Sequence, residues 1–504
     1  MRTPTCVLSW FTPVVLVTLA GGGPAAGQEA SPASACDAIE QILGRCGPPN
    51  ASSHWLKAIL EEHVAERSVE RIFPPEPEGL IVTGTNRKVS AGVTQPLSET
   101  AIAVSPQDPR RIAIGANTDS SARPFQSMFV SVDGGKKFRA SLLPATSPTY
   151  FLQGDPSVTW TSNGQLWAAT IEGQVTAGKL SLKGLAYRTT NAGATWVPMG
   201  AYSGTETLAD RPTIWADTSA TSAFKDSIYV TWHNGPVYVT RRRKGAANWA
   251  KPVRVSPLDA SGFGGDLKTD ATGRIYVFWP DRTQMKIFVS TSSDGGVRFT
   301  PPVAVAPITN HLFDLSVPPA GRNPGNYVTT AALSRDGTRW AFAAWMDRAV
   351  GDTGPARIWF SSSRDGGATW STAIHVAPRN DASAQFHAAL TVDSQSGRLA
   401  VVYSDNAADP VGSKVHRSVV TSNDFGVTWS SPQRITTVPS NALTDPEQIY
   451  GDYQGSFALG PRLWTVWTDR RTGAASSVWM AELRVTESGA RAVEIGEPTV
   501  EKLP

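Results

Sequence analysis

One octapeptide pattern, S/T-x-D/N-x-G-x-x-W/F, constrains the fold of this chain more than any other feature, because it occurs five times with one internal spacing. The copies are Ser131–Phe138, Thr189–Trp196, Ser292–Phe299, Ser363–Trp370 and Ser422–Trp429. Only the second carries Asn, at Asn191, where the others have Asp. A tight hairpin explains these residue types. Glycine takes backbone angles that crowd other residues. The hydroxyl and carboxylate bond nearby amides and hold the turn. The aromatic ring is expected to pack beneath the turn into the sheet. Most copies follow a short β-rich run, such as Met128-Phe129-Val130 or Arg357-Ile358-Trp359-Phe360, so each box reads as the turn joining the third and fourth strands of one sheet.

Strand pairs complete the repeat. Inner strands are expected near Ser98, Gly154, Asp210, Gly265, Tyr327, Gln385 and Gly451, and several second strands end in aromatic residues, as at Trp232, Trp279, Trp345, Tyr403 and Trp467. The gap between the second and third boxes is close to two repeats. It holds a degenerate turn, Thr240-Arg241-Arg242-Arg243-Lys244-Gly245, leading to Trp249. The last repeat has Val478-Trp479-Met480-Ala481 in place of a box. Many short sheets with protected edges fit radial packing. The spacing therefore predicts an all-β, seven-bladed β-propeller over residues 96–490, with six blades as the alternative and 491–504 as a tail.

The N-terminal residues differ in character. Residues 1–27 combine Arg2, an apolar run through Val17 and a small-residue end at Gly21–Gly27, the layout of a secretory signal. A secreted or periplasmic protein is expected, and no later stretch is long and apolar enough to suggest a membrane span. Residues 28–95 hold Cys36 and Cys46, read as one disulfide. They also hold a short helical segment between His54 and Val69 and a proline-rich linker at Pro74–Gly79. The formal net charge of +3 favours neither nucleic acid nor a membrane surface. A monomer is expected. With no metal-spaced His/Cys cluster, no P-loop and no G-x-S-x-G elbow, neither a cofactor nor a metal is expected.

The boxes and the inner-strand pattern resemble those of bacterial secreted BNR (Asp-box) repeat proteins of the sialidase-like β-propeller superfamily, and the resemblance covers most of the chain. It implies that ligands, glycan or cell-surface partners, bind around the central channel on the face opposite the boxes, leaving the boxes as scaffold. On that face, aligned inner strands place Glu99, Asp155, Arg211, Gly264, Val328, His387 and Asp452 at one level. Two residues further along lie Ala101, Ser157, Thr213, Asp266, Thr330, Ala389 and Gln454, facing the same way. Asp155, Asp266, His387 and Asp452 are the candidates for acid–base chemistry. Arg211, Arg282, Arg348 and Arg470 are the candidates for gripping substrate through guanidinium forks. The alternative is that the carboxylates bond backbone amides between blades and each Arg pairs with a neighbouring Asp.

Departures from the sialidase pattern limit what the resemblance implies. An Arg-Ile-Pro motif is absent from the first inner strand, where Ser98-Glu99-Thr100-Ala101-Ile102 stands, and Arg71-Ile72-Phe73-Pro74 precedes the linker. Exo-sialidase chemistry is therefore not expected. Two classes of function remain open, a glycoside hydrolase-like or lyase enzyme and a non-catalytic propeller that binds glycan, protein or a cell surface.

Overall fold

The computed structural model describes residues 86–118, 124–176, 179–309, 327–348, 354–409, 414–441, 450–472, 475–486, 489–492 and 499–501. All belong to the second of two compact units, Met1–Gly79 and Leu80–Pro504. The signal segment, Cys36, Cys46 and the helical stretch expected from sequence lie outside the described residues. Among the described residues no helix is long and apolar enough to cross a membrane.

Seven antiparallel sheets follow one another along the chain. Their inner strands are Leu97–Val104, Tyr150–Trp160, Asp210–Ala216, Asp266–Thr269, Thr329–Arg335, Gln385–Val392 and Ser456–Leu459. Each inner strand touches the next, and the seventh touches the first, so the sheets close into a ring. This is the seven-bladed propeller that the repeats predict. The core lies between sheets as well as within them. Tyr276 and Phe278 of blade four, for example, share one cluster with Val328, Ala341, Ala343 and Trp345 of blade five. Trp232, Trp279, Trp345, Trp464 and Trp467 are among the largest fully buried side chains. Burial of each contributes on the order of 2–3 kcal/mol.

Blade seven, which lacks a box, is completed from both directions along the chain. Arg87–Lys88 pairs antiparallel with one part of Ser477–Thr486, and Gly489–Ala492 pairs antiparallel with its far end. Val89 and Leu97, both buried, join the cluster shared by blades seven and one, and Arg87 donates from Nη1 to Gly135 O in the first box. The outer strand of blade one in turn pairs in parallel with Thr499–Glu501. Strands from both ends of the propeller unit thus extend beyond residues 96–490. The basic run of blade three acts similarly. Arg241 Nη1 donates to Gly296 O and Arg243 Nη2 to Asp294 O, holding the box of blade four.

The boxes have the bonding expected of them. In the fourth copy, Gly367 N donates to Ser363 Oγ at 2.9 Å, Ser363 Oγ donates to Asp365 Oδ1 at 2.8 Å, and Asp365 accepts from the amides of Ala368 and Thr369. Partial burial opposes ionisation of Asp365, but the bonds from Thr369, Ser363 and Ala368 outweigh it and hold its pKa at about 2. The box aromatics join core clusters that contain residues of their own blade, as Phe138 does with Ile112 and Phe129, and they also reach the preceding blade: Trp370 meets Phe278 edge-on at 5.5 Å, Trp429 meets Phe360 at 5.0 Å, and Trp196 Nε1 donates to Ser141 Oγ. Each box therefore fastens a turn and joins two sheets. Asp365→Ala is expected to cost about 1 kcal/mol, read as a lower urea midpoint with an unchanged m-value. An unchanged midpoint would remove the carboxylate from the account of the turn.

Candidate functional site

The face opposite the boxes is built on a repeated backbone irregularity. Ser98 pairs with Asn117, but the next pair on that strand is Ala101 with Gly115, and the register shifts equally between Gly154 and Ser157, Asp210 and Thr213, and Phe386 and Ala389. Each shift is a β-bulge carrying one extra residue. Glu99, Asp155, Arg211 and His387 sit at the bulges with φ of 51°, 57°, 51° and 52°. This left-handed region costs a residue with a β-carbon about 1 kcal/mol. Blade four has Gly264 there, with φ 51°, and a β-carbon on it would lie 2.0 Å from the Tyr327 ring. These five positions share the level expected from sequence.

Blades five and seven correct that alignment. Thr329 pairs with Ala344 and Ser456 with Thr465, which places Tyr327 and Tyr453 at the channel level in place of Val328 and Asp452. A one-residue displacement along a strand reverses the face that a side chain presents. Val328 accordingly enters the core between blades four and five, Thr330 is fully buried, and Gln454 lines a cavity beside blade six. Asp452 still borders the level. Its amide donates to Glu99 Oε1 at 3.2 Å, and its Oδ2 accepts from Tyr327 OH at 3.4 Å.

Three blades meet across the ring at this level. The guanidinium carbon of Arg211, in blade three, lies 3.5 Å from the centre of the Tyr453 ring of blade seven and 4.8 Å from that of Tyr327 in blade five. An aromatic row continues outward, with Tyr327 stacked on Phe263 at 5.0 Å and Phe263 against His233 at 4.8 Å. Tyr327 and Tyr453 are 8% and 9% exposed, and Glu99, Asp155 and Asp452 are buried, whereas Arg211 is partly exposed. Burial, then the Glu99 and Asp155 charges, raise the Tyr453 pKa well above the usual phenol value, so the hydroxyl stays protonated. That hydroxyl and Arg211 Nε are buried without a hydrogen-bond partner.

Much of the polar bonding at this level runs from blade to blade. Asp155 Oδ2 accepts from the Arg211 amide at 3.0 Å. Asp266 Oδ2 accepts from the amide and hydroxyl of Thr330 at 2.8 and 2.9 Å, while its Oδ1 takes the Lys268 ammonium at 2.6 Å. His387 Nε2 lies 2.9 Å from Gly451 O; a carbonyl only accepts, so Nε2 carries the proton and Nδ1 the lone pair. Burial and then the Arg417 charge pull the imidazole pKa down to about 3 against that bond, leaving the ring neutral. Of the four residues assigned to acid–base work, Asp155 and Asp266 thus accept from amides of the next blade and His387 bonds a carbonyl of the next blade.

The arginines expected to grip substrate separate into different roles. Arg211 lies at the centre. Arg282 stands 5.6 Å over the Phe263 ring and donates from Nε to Ser261 Oγ, which brings it to the end of the aromatic row. Arg348 bonds Asp347 through its amide, and its buried Nε has no partner. Arg470 is buried, with its amide donating to Ser440 Oγ. The recurring Asp at the ends of the second strands caps turns: Asp281 accepts from the Thr283 and Gln284 amides, and Asp405 from that of Ala407. Sequence reasoning missed Phe263 and His233. The signal for Phe263 is its place within Ser261-Gly262-Phe263-Gly264-Gly265, where glycines let the ring approach neighbouring backbones. No group of three or more His, Cys, Asp or Glu side chains among the described residues is arranged to hold a metal ion.

The fold is similar to several solved structures. A protein of unknown function from Dyadobacter fermentans aligns over 81% of this chain and 100% of its own, with 12% identity and a TM-score of 0.44. An α-L-arabinofuranosidase from Fusarium graminearum aligns over 69% of this chain and 96% of its own, with 12% identity and a TM-score of 0.42. A sialidase from Streptococcus pneumoniae aligns over 82% of this chain and 71% of its own, with 14% identity and a TM-score of 0.39. These are likenesses of architecture. No protein-family model and no curated protein matches the chain.

Proposed function

We propose that this chain is an exported carbohydrate-binding propeller that holds neutral sugars at the channel level opposite the boxes. The observation that carries this reading is Arg211. The residue is partly exposed, its guanidinium is fixed between the Tyr453 and Tyr327 rings with Nε buried and unbonded, and its Nη1 makes only a long contact to Pro212 O at 3.5 Å. A guanidinium held rigidly on aromatic faces loses little freedom when a ligand oxygen arrives. Charge selects the ligand. The carboxylates of Glu99, Asp155 and Asp452 surround the one guanidinium, so a sugar carboxylate meets a net negative field and a neutral sugar does not. Binding without cleavage follows from the occupied state of Asp155, Asp266 and His387.

The test is titration calorimetry against neutral and acidic oligosaccharides, with reducing ends followed in the same mixtures. Neutral sugars are expected to bind, acidic counterparts at least tenfold more weakly, and no reducing ends to appear. Arg211→Lys keeps the charge but loses the planar fork, and it should weaken binding by roughly tenfold, about 1.4 kcal/mol. The reading fails if no neutral sugar binds, or if Arg211→Lys binds as the unaltered protein does. Release of reducing ends that Asp155→Asn abolishes would instead establish a hydrolase.

A further inference from the structure

Between blades six and seven lies a small cavity, with room for about one water-sized occupant, lined by Arg417, Gln454, Thr468, Tyr450, His416 and Asp469 among others. Its polar groups are unbalanced. Arg417 is 2% exposed; its Nη1 donates to His387 O at 3.2 Å and to Ser404 Oγ at 3.0 Å, but Nε and Nη2 have no partner. Gln454 is 4% exposed, with neither amide atom bonded, and the buried Thr468 hydroxyl also lacks a partner. Unbonded donors from three side chains therefore line one space that holds a single unbonded acceptor, Gln454 Oε1. The Asp469 carboxylate does not answer them, because it already receives the Trp467 indole and the Arg471 guanidinium, both at 2.7 Å. Leaving a buried guanidinium half-bonded is expensive, and burial, only partly offset by the Asp405 charge, depresses the Arg417 pKa to about 9.

We infer that this cavity binds a small monovalent inorganic anion, chloride in an exported protein, held by Arg417, the Gln454 amide and the Thr468 hydroxyl. Size and charge both select this class. The space suits an occupant little larger than water. One guanidinium balances one negative charge, whereas a divalent oxyanion would leave a buried excess beside Asp469. The bound ion would link Arg417 of blade six to Gln454 and Thr468 of blade seven, at the junction next to the ring closure. It would act on stability and is separate from the sugar-binding level, so either can fail alone.

The experiment replaces chloride. Crystals of the full chain grown or soaked in bromide are expected to show an anomalous peak within hydrogen-bonding distance of Arg417 and Gln454. Thermal unfolding at equal ionic strength should show a Tm higher in sodium chloride than in sodium gluconate, whose anion is too large for the cavity, by at least about 1 °C. Arg417→Gln and, independently, Gln454→Leu should remove the chloride-specific increment. The inference is overturned if the unaltered protein shows no bromide in the cavity, if ordered water alone fills it, or if its Tm is the same in the two salts. These readings on the unaltered protein decide the matter even where Arg417→Gln does not fold.

Discussion

Arg211→Met is expected to lower the unfolding free energy by about 3 kcal/mol, toward the lower end of what breaking a buried charge arrangement costs because the residue is not fully enclosed. Two effects add. The substitution removes a cation from the faces of Tyr453 and Tyr327, where each such contact contributes about 0.5–2 kcal/mol. It also leaves the Glu99, Asp155 and Asp452 carboxylates crowded at one buried level with no central positive charge. Methionine fills much of the space, so a cavity contributes little. Urea unfolding of the single variants and of Arg211→Met combined with Tyr453→Leu would form a double-mutant cycle. A coupling of at least about 1 kcal/mol is expected. Coupling near zero would mean that the Arg211–Tyr453 stacking does not hold the level together.

The second large effect concerns His387 and pH. The unfolded chain protonates this imidazole near pH 6.5, whereas burial and the Arg417 charge hold it neutral in the folded chain down to about 3. Between those values the unfolded state binds the extra proton, so stability is lost as pH falls through the window and is fully present above it. One proton corresponds to a slope of about 1.4 kcal/mol per pH unit, giving a loss of a few kcal/mol by roughly pH 4. His387→Gln keeps a polar donor for Gly451 O and has no titrating group. Denaturant titrations from about pH 7 down to about 4 should therefore give the variant a slope shallower by about one proton. Parallel slopes for the two proteins would show that His387 is not held neutral.

The channel level shows how far a chain can be read without its fold. Glu99, Asp155, Arg211, Gly264 and His387 were legible as equivalent positions, because the strand period of two carries across blades that share one bulge. Tyr327 and Tyr453 were displaced by one residue. The segments before them differ in length from those of the other blades, and only the hydrogen-bonded register, Thr329 with Ala344 and Ser456 with Thr465, sets which side chain faces inward. The bonding partners of Asp155, Asp266 and His387 were not legible either. Whether a carboxylate or imidazole is available for chemistry depends on which amide or carbonyl of the next blade reaches it, and those partners are 56, 64 and 64 residues away.

By itself, the sequence determined the repeat. Five boxes with fixed spacing require five equivalent hairpins, and the local chemistry of Ser131, Asp365 or Gly367 in those turns needs no distant partner. Tertiary structure decided what happens where blades meet: the outer strand of blade seven supplied by Arg87–Lys88, the packing of box aromatics on the preceding sheet, and the convergence of Arg211, Tyr327 and Tyr453 across the ring. The physical reason is range. A turn is stabilised by bonds within about five residues and is written locally. A charge cluster on the axis is assembled from strands far apart in the chain, and their relative register is set only once the ring has closed.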